Sequence, residues 1–256
     1  MKLNLKTPVF ISLLAVFLLC GAAWSQPNQP ELPVPALKVA VEGATSPQDV
    51  SVSLQIVALL TILSVAPAIL LMVTSFTRVL VVLGFVRNAL GLQQTPPNQV
   101  IVTLALFLSL FIMAPTWDVM YQQGLAPYME GRIGSMEALE NVTTPLRRFM
   151  LGQTREKELS LMVSMSGLER PSNADDIPNK VLLPAYMLSE LKSAFQMGIV
   201  IYVPFIVVDM IISSVLMSMG MIMLPPMMIS LPFKVLLFVM ADGWNLVVVS
   251  LIRSFQ

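Results

Sequence analysis

Four charged residues lie inside stretches that are otherwise apolar, and they are the side chains with the clearest capacity for chemistry. They are Arg78, Asp209, Lys234 and Asp242. A charge at the centre of a bilayer costs at least about 2.5–3.5 kcal/mol on insertion scales, so such residues are usually paired or face a protein or water interior. We expect Asp209 and Lys234 to form an ion pair at subunit contacts, within or between copies of the chain. The pair would either take part in the function of the protein or only stabilise the packing of the second hairpin.

A second group with functional potential is a set of methionines. The chain has 19 of them, and Met217, Met219, Met221 and Met223 alternate up to the break at Pro225 and Pro226. Methionine is unbranched and adaptable, so it fills gaps of irregular or changing shape. A ring of thioethers would close a pore against ions and still yield to a passing polypeptide. Ordinary packing of a membrane core explains the same composition.

Two catalytic residue types are missing from the chain that we expect after processing, and only carboxylate or lysine chemistry stays formally open. It has no histidine, and its one cysteine, Cys20, lies in a segment that we expect to be removed. The commonest general base, the usual zinc ligands and the Ser-His-Asp and Cys-His systems are therefore excluded. The phosphate-binding pattern GxxxxGK[ST] does not occur either. We predict a protein that is not an enzyme and has no cofactor or metal; an aspartyl intramembrane enzyme using Asp209 and Asp242 is the catalytic alternative.

The overall composition is that of a membrane protein. Of the 256 residues, 56% are hydrophobic and only 12% are charged, whereas a soluble domain carries about 25% charged residues. The formal net charge is zero, so the basic excess typical of nucleic-acid binding is absent.

The N-terminal segment has the pattern of a signal peptide. Residues 1–25 combine two early lysines, an apolar run and small residues before a cleavage site between Ser25 and Gln26. An uncleaved first anchor is the alternative. Residues 26–53 are rich in proline, which predicts an extended extracytoplasmic arm.

The remaining chain predicts an all-α fold with two long apolar helical hairpins and an intervening amphipathic helical region, membrane-associated and oligomeric. The hairpins are residues 54–115 and 194–256, and the region between them, 116–193, is hydrophilic and expected to be extracytoplasmic. We expect a kink or break at Pro67, an end of the second apolar block at Pro115, and a turn rich in methionine and proline in the second hairpin. This organisation gives four membrane crossings.

Several motifs, in order, resemble the flagellar biosynthetic protein FliP family of type III export-gate subunits. They are SFTR at 75–78, QTPPNQV at 94–100, LALFL at 104–108, SELKSAFQ at 189–196, VLMSMGM at 215–221, SLPFK at 230–234 and DGWNL at 242–246. The resemblance covers roughly residues 54–255, which is nearly the whole of the chain after the arm.

The resemblance implies a core pore-forming subunit that passes unfolded flagellar subunits across the bacterial inner membrane, within the flagellar basal body and with periplasmic exposure. It implies about five copies together with FliQ-like and FliR-like subunits, in contact with lipid and without nucleic acid. It also implies that the hairpins sit largely above the membrane plane, and that Met219, Met221 and Met223 form a gasket in which Ile222 interrupts the methionine run.

Three other functions stay open from the residues alone. One is a subunit of the virulence type III secretion gate, which is similar to the SctR branch of the same family. Another is a secondary transporter with Arg78, Asp209 and Lys234 as substrate or proton sites, although the two hairpins do not read as repeats. The third is a purely structural scaffold.

Overall fold

The computed structural model describes residues 47–92, 94–167, 173, 176–221 and 224–255. The chain divides into two compact units, Met1–Ser53 and Leu54–Gln256. Of the first unit, only the opening residues of one helix, from Pro47, are described. The predicted signal segment with its cleavage at Ser25 and Gln26, and the proline-rich arm up to residue 46, lie outside the described residues.

All regular structure in these described ranges is helical, and the predicted all-α class is confirmed. The helices are α1 (Pro47–Met72), α2 (Phe76–Ala89), α3 (Asn98–Met120), α4 (Ala126–Met129), α5 (Ser135–Gln153), α6 (Glu156–Met165), α7 (Asn179–Ser218), α8 (Pro226–Met240) and α9 (Gly243–Arg253). A π-helical turn, Tyr121–Leu125, joins α3 to α4.

The first apolar block is divided after Met72. The break that we expected at Pro67 is wrong, whereas a kink there stays a prediction. Helix α1 runs through Pro67 and ends before the polar residues Thr74 and Ser75. At this break the Thr74 hydroxyl donates to the Leu71 carbonyl, and the Tyr186 hydroxyl donates to the Thr74 carbonyl at 2.8 Å. Side-chain partners thus satisfy backbone groups that the interrupted helix leaves open. The break is fixed by these hydrogen bonds.

The second apolar block also extends beyond its predicted end. Helix α3 contains Pro115 and continues to Met120, so the expected termination at Pro115 is wrong. Proline occurs inside α5, α7 and α8 as well, at Pro145, Pro184, Pro204 and Pro232. Proline removes one hydrogen bond from a helix, and apolar helices tolerate that loss when neighbouring groups satisfy the freed carbonyl.

Two helical stretches are long and apolar enough to cross a membrane. They are Asn98–Met129, of 32 residues, and α7, of 40 residues. A third span is possible if α8 and α9, which are bent by 63° relative to each other, count as one. The four crossings expected from the sequence are therefore not reached among the described residues. Helix α7 begins 15 residues before the apolar block that starts at Ala194, because the motif around Glu190 is helical too.

Two hydrophobic clusters hold the helices of the larger unit together. The first packs α2 against α3 and α7, with fully buried Val79, Val82 and Val86, and extends to α8 and α9 through Phe238 and Leu251. The second lies where α5 and α6 meet the start of α7. Outside these clusters many large apolar side chains are exposed on α1, α7 and α8. A single copy of the chain therefore leaves a large part of its apolar surface exposed.

Candidate functional site: a buried arginine, an ion pair and a methionine turn

Arg78 lies at the centre of a buried polar cluster that joins four segments of the chain. Helix α2 places it on the face that packs against α7, where only 3% of its surface is exposed. Its guanidinium forms a bidentate ion pair with Glu190 of α7, which is fully buried. It also donates to the Ser254 carbonyl at 2.9 Å and to the Gln153 side-chain oxygen at 3.1 Å. Helix α7, helix α5 and the segment after α9 thus each supply a hydrogen-bond acceptor for the guanidinium. A buried charge needs such partners to offset its loss of hydration.

The cluster also fixes the end of the described chain. The Phe255 ring lies under the guanidinium, with 3.9 Å between its centroid and the Arg78 Cζ. The Gln153 amide donates to the Phe255 carbonyl at 3.2 Å. A guanidinium is suited to this position because its planar fork bonds a carboxylate with two parallel hydrogen bonds and stacks on aromatic rings. Ser254 and Phe255 are therefore held against the buried Arg78 by these contacts.

Asp209 and Lys234 form the second buried ion pair. The Lys234 ammonium lies 2.6 Å from one Asp209 oxygen, and the Ser230 hydroxyl donates to the other at 2.6 Å. The lysine side chain is 4% exposed and the aspartate side chain 29%. The structure therefore brings the two charges together within one subunit.

The register of α8 explains how this pair is positioned. Ser230, Lys234 and Phe238 recur every four residues and form the buried face of α8. On α7, Phe205 and Asp209 have the same spacing, and the Phe205 and Phe238 rings lie 6.3 Å apart. An aromatic contact and an ion pair thus follow one another along the α7–α8 seam, since residues four apart share a helix face.

The methionine turn has a fixed backbone and exposed side chains. Helix α7 ends in a Schellman motif, in which the Met221 amide donates to the Leu216 carbonyl and the Gly220 amide to the Met217 carbonyl. Gly220 has a φ of +75°, in the left-handed region. The motif places Met219 and Met221 on either side of this glycine, both exposed. Met223, the third predicted gasket residue, lies outside the described residues.

Asp242 is in a different environment from the other three predicted charges. It lies exposed at the bend between α8 and α9, with a φ of +50°, and accepts a hydrogen bond from the Asn245 side chain at 3.0 Å. The bend divides the C-terminal arm of the second predicted hairpin into α8 and α9. Gly243 permits the bend, because a Cβ there would overlap the Phe238 ring.

A third ion pair connects α6 to α7. The Lys192 ammonium donates to Glu158 Oε1 at 2.6 Å, and this hydrogen bond lowers the pKa of the Glu158 carboxyl, although burial acts in the opposite direction. The other carboxylate oxygen, Oε2, is buried without a partner among the described residues. Arg155 lies close by and donates to Ser193 and Gln196.

Sequence reasoning singled out Arg78 but not the residues that hold it. Glu190 lies 112 positions away and within the region assigned as hydrophilic. Gln153 and Ser254 are neutral, so nothing in the sequence distinguishes them from other polar residues. The one available signal was that Glu190, Lys192 and Gln196 follow each other in a motif that also characterises the resemblance. Among the described residues, no three His, Cys, Asp or Glu side chains lie close enough together to bind a metal ion.

The fold and these sites define a class: a helical, membrane-associated protein that pairs three of its four internal charges with opposite charges and exposes much of its apolar surface. Comparison with known proteins gives the family. Residues 59–251 match the profile of the FliP family, and the chain belongs to this family.

Three relatives illustrate the extent of the similarity, and each is called flagellar biosynthetic protein FliP. The protein from Bacillus subtilis is 48% identical over 217 residues, which cover 85% of this chain and 98% of the relative. Those from Caulobacter vibrioides and Borreliella burgdorferi are 49% and 51% identical, over 79% and 81% of this chain and 76% and 83% of the relatives.

Proposed function

We propose that this chain is a core pore-forming subunit of the flagellar type III export gate, and that it passes unfolded flagellar subunits across the bacterial inner membrane. The observation that carries the proposal is the family match over residues 59–251, which covers most of both hairpins and includes Arg78, Asp209, Lys234 and the methionine turn. The relatives at 48–51% identity share the name of a flagellar biosynthetic protein.

The exposed apolar surface supports the proposal that the chain works as part of a complex with other subunits. A soluble monomer rarely exposes apolar patches larger than a few hundred Å². Here the exposed large apolar residues include a run along α1, among them Leu59, Ile62 and Leu63. On α7 and α8, an apolar groove of about 740 Å³ is lined by Ile211, Phe233 and their neighbours. Other copies, FliQ-like and FliR-like subunits and lipid would cover these surfaces.

The conduit would be passive and gated by the methionine turn. Met219, Met221 and Met223 from each copy would form an apolar collar that excludes water and ions when closed and deforms around a polypeptide. The Schellman motif would hold each set of thioethers in place while the side chains adapt. The energy for export would come from partner components, and this chain would supply the channel without acting as an enzyme.

The two buried ion pairs would make the subunit rigid around this mobile collar. Arg78 joins α2, α5, α7 and the segment after α9, and Lys234 ties α8 to α7 close to the turn. The location that this function requires is the inner membrane at the flagellar basal body, with part of the protein facing the periplasm.

The composition of the detergent-extracted complex tests the proposed function. We expect a particle with about five copies of this chain and two kinds of small apolar partner subunit. A deletion strain should lose motility and regain it with the wild-type gene. A chain that purifies alone as a monomer or dimer, in a strain whose motility does not depend on it, would rule out the export gate.

A further inference from the structure

The methionines described by the structure differ widely in how exposed they are. Met219 is 67% exposed and Met221 41%, whereas Met113 and Met150 are 1% and 6% exposed. Oxidation of methionine to its sulfoxide follows access of the oxidant to sulfur. The turn after α7 therefore carries methionines that the single chain leaves exposed. In the proposed collar, peroxide would reach them from the aqueous sides of the seal.

We propose that Met219 and Met221 are oxidation sites, and that peroxide converts the turn from an apolar lining into a polar one. In this step the thioether sulfur attacks one peroxide oxygen, and a sulfur–oxygen bond forms as the oxygen–oxygen bond breaks. The sulfur is oxidised by two electrons, the peroxide is reduced, and the second oxygen leaves as water. The product is a polar and chiral sulfoxide in place of a flexible apolar group.

The local backbone supports a change confined to the side chains. The turn is fixed by main-chain hydrogen bonds, from Met221 to Leu216 at 3.0 Å and from Gly220 to Met217 at 3.1 Å. Neither thioether takes part in them. Oxidation would therefore alter what the turn presents to its surroundings and leave α7 and its C-terminal cap intact.

The consequence for a pore rests on the proposed function. A seal that excludes water does so because its lining offers no hydrogen-bonding groups. Each sulfoxide adds a strong acceptor to that lining, and several copies would add one or two each. The collar would then hold water and pass ions in its closed state. The two methionine sulfoxide reductases, one for each sulfoxide epimer, would restore the seal with two electrons from a thiol reductant, and the sulfoxide oxygen would leave as water.

Peroxide treatment of assembled gates in membrane vesicles tests the inference with two readouts. Peptide mass spectrometry measures sulfoxide at each methionine, and a potential-sensitive dye measures ion leak. We expect severalfold more sulfoxide at Met219 and Met221 than at Met113 and Met150, accompanied by a rise in leak that the two reductases reverse. In M219L/M221L, whose new side chains contain no sulfur, the increment in leak caused by peroxide should fall, and in M219L/M221L/M223L, which removes every thioether of the collar, it should be lost.

A matched control separates the turn from general oxidative damage. Met136 on α5 is 79% exposed, so it should oxidise at least as fast, yet M136L should keep the full peroxide-dependent leak. Sulfoxide at Met219 and Met221 that forms no faster than at Met113, or that forms without any change in leak, overturns the inference. Failure of the export-gate proposal is recognised separately, by the absence of the multi-subunit particle from untreated membranes.

Discussion

The Lys234 ammonium lies 2.6 Å from the Asp209 carboxylate, and this contact joins α8 to α7 within a single subunit. The two partners are unequally buried. Lys234 is almost completely enclosed, whereas Asp209 keeps some access to solvent and also accepts a hydrogen bond from Ser230. Losing one charge should therefore have a different effect from losing the other.

The first prediction concerns this asymmetry. D209N should destabilise the subunit by about 3 kcal/mol, because it leaves a buried ammonium without its counter-ion. K234M should cost only about 1 kcal/mol, since the remaining carboxylate retains Ser230 and solvent. Thermal unfolding of the detergent-extracted complex measures both. The charge-exchanged variant D209K/K234D should be more stable than D209N; if it is no better than either single variant, direct pairing is not what stabilises the seam.

The second prediction concerns the shape of the guanidinium at Arg78. R78K preserves the charge but loses the bidentate pair with Glu190 and the stacking on Phe255, so we expect a loss of about 3 kcal/mol in unfolding free energy. R148K on the exposed side of α5 is the matched control, and it should change stability by less than about 0.5 kcal/mol. Equal melting temperatures for the two variants would mean that charge alone is needed at Arg78.

These two sites show what the sequence could predict and what it could not. An isolated charge in an apolar block can be recognised from the sequence alone, because the free-energy cost of placing it in lipid is a property of the residue itself. Arg78, Asp209 and Lys234 stood out for that reason. The acceptors around Arg78 are set by tertiary packing, and Glu190 lies 112 residues away.

The helix breaks illustrate the same distinction. Proline was given too much weight at Pro67 and Pro115, since an apolar helix continues through proline when neighbouring groups satisfy the freed carbonyl. The actual break at Thr74 depends on the Tyr186 hydroxyl, which no local pattern reveals. At Asp242 the bend depends on the Phe238 ring packing against Gly243. Local propensity predicted the helices, and long-range contacts determine where they end.

The third prediction concerns pH and the contact between α6 and α7. The Lys192 hydrogen bond keeps the pKa of folded Glu158 below its usual 4.5. A lowered pKa stabilises the folded state above the unfolded pKa, and this stabilisation is lost as the pH falls through the folded value. Melting temperatures between about pH 7 and about pH 3 should therefore decrease less steeply for E158Q than for the wild type. Parallel curves for the two proteins would contradict this linkage.

The fourth prediction concerns the backbone at Gly220. A Cβ there would meet no neighbouring atom, so the cost of G220A comes only from its φ of +75°. We expect a destabilisation of about 1 kcal/mol, the usual penalty for a left-handed residue with a side chain. Gly152, inside α5, has equally open space but helical backbone, so G152A should stabilise by up to about 1 kcal/mol. Differential scanning fluorimetry distinguishes the opposite signs; a neutral G220A would mean that the turn does not depend on the Schellman geometry.

The fifth prediction concerns the collar. Replacing Met219, Met221 and Met223 with alanine removes the flexible part of each side chain and leaves the hydrogen-bonded turn in place. Because Met219 and Met221 do not contribute to the hydrophobic clusters of the described residues, the complex should assemble with its normal composition.

Loss of the thioethers should instead widen the constriction, so that the membrane leaks ions while export is under way. The leak is measured as dissipation of the membrane potential in cells that express the variant, with M136A as the control for a methionine exposed elsewhere. A rise in leak with normal assembly supports the seal, because a purely structural role would first reduce the yield of the complex. Unchanged conductance in complexes of the correct composition would remove the methionines from the gating mechanism, and the seal would then have to be formed by another part of the gate.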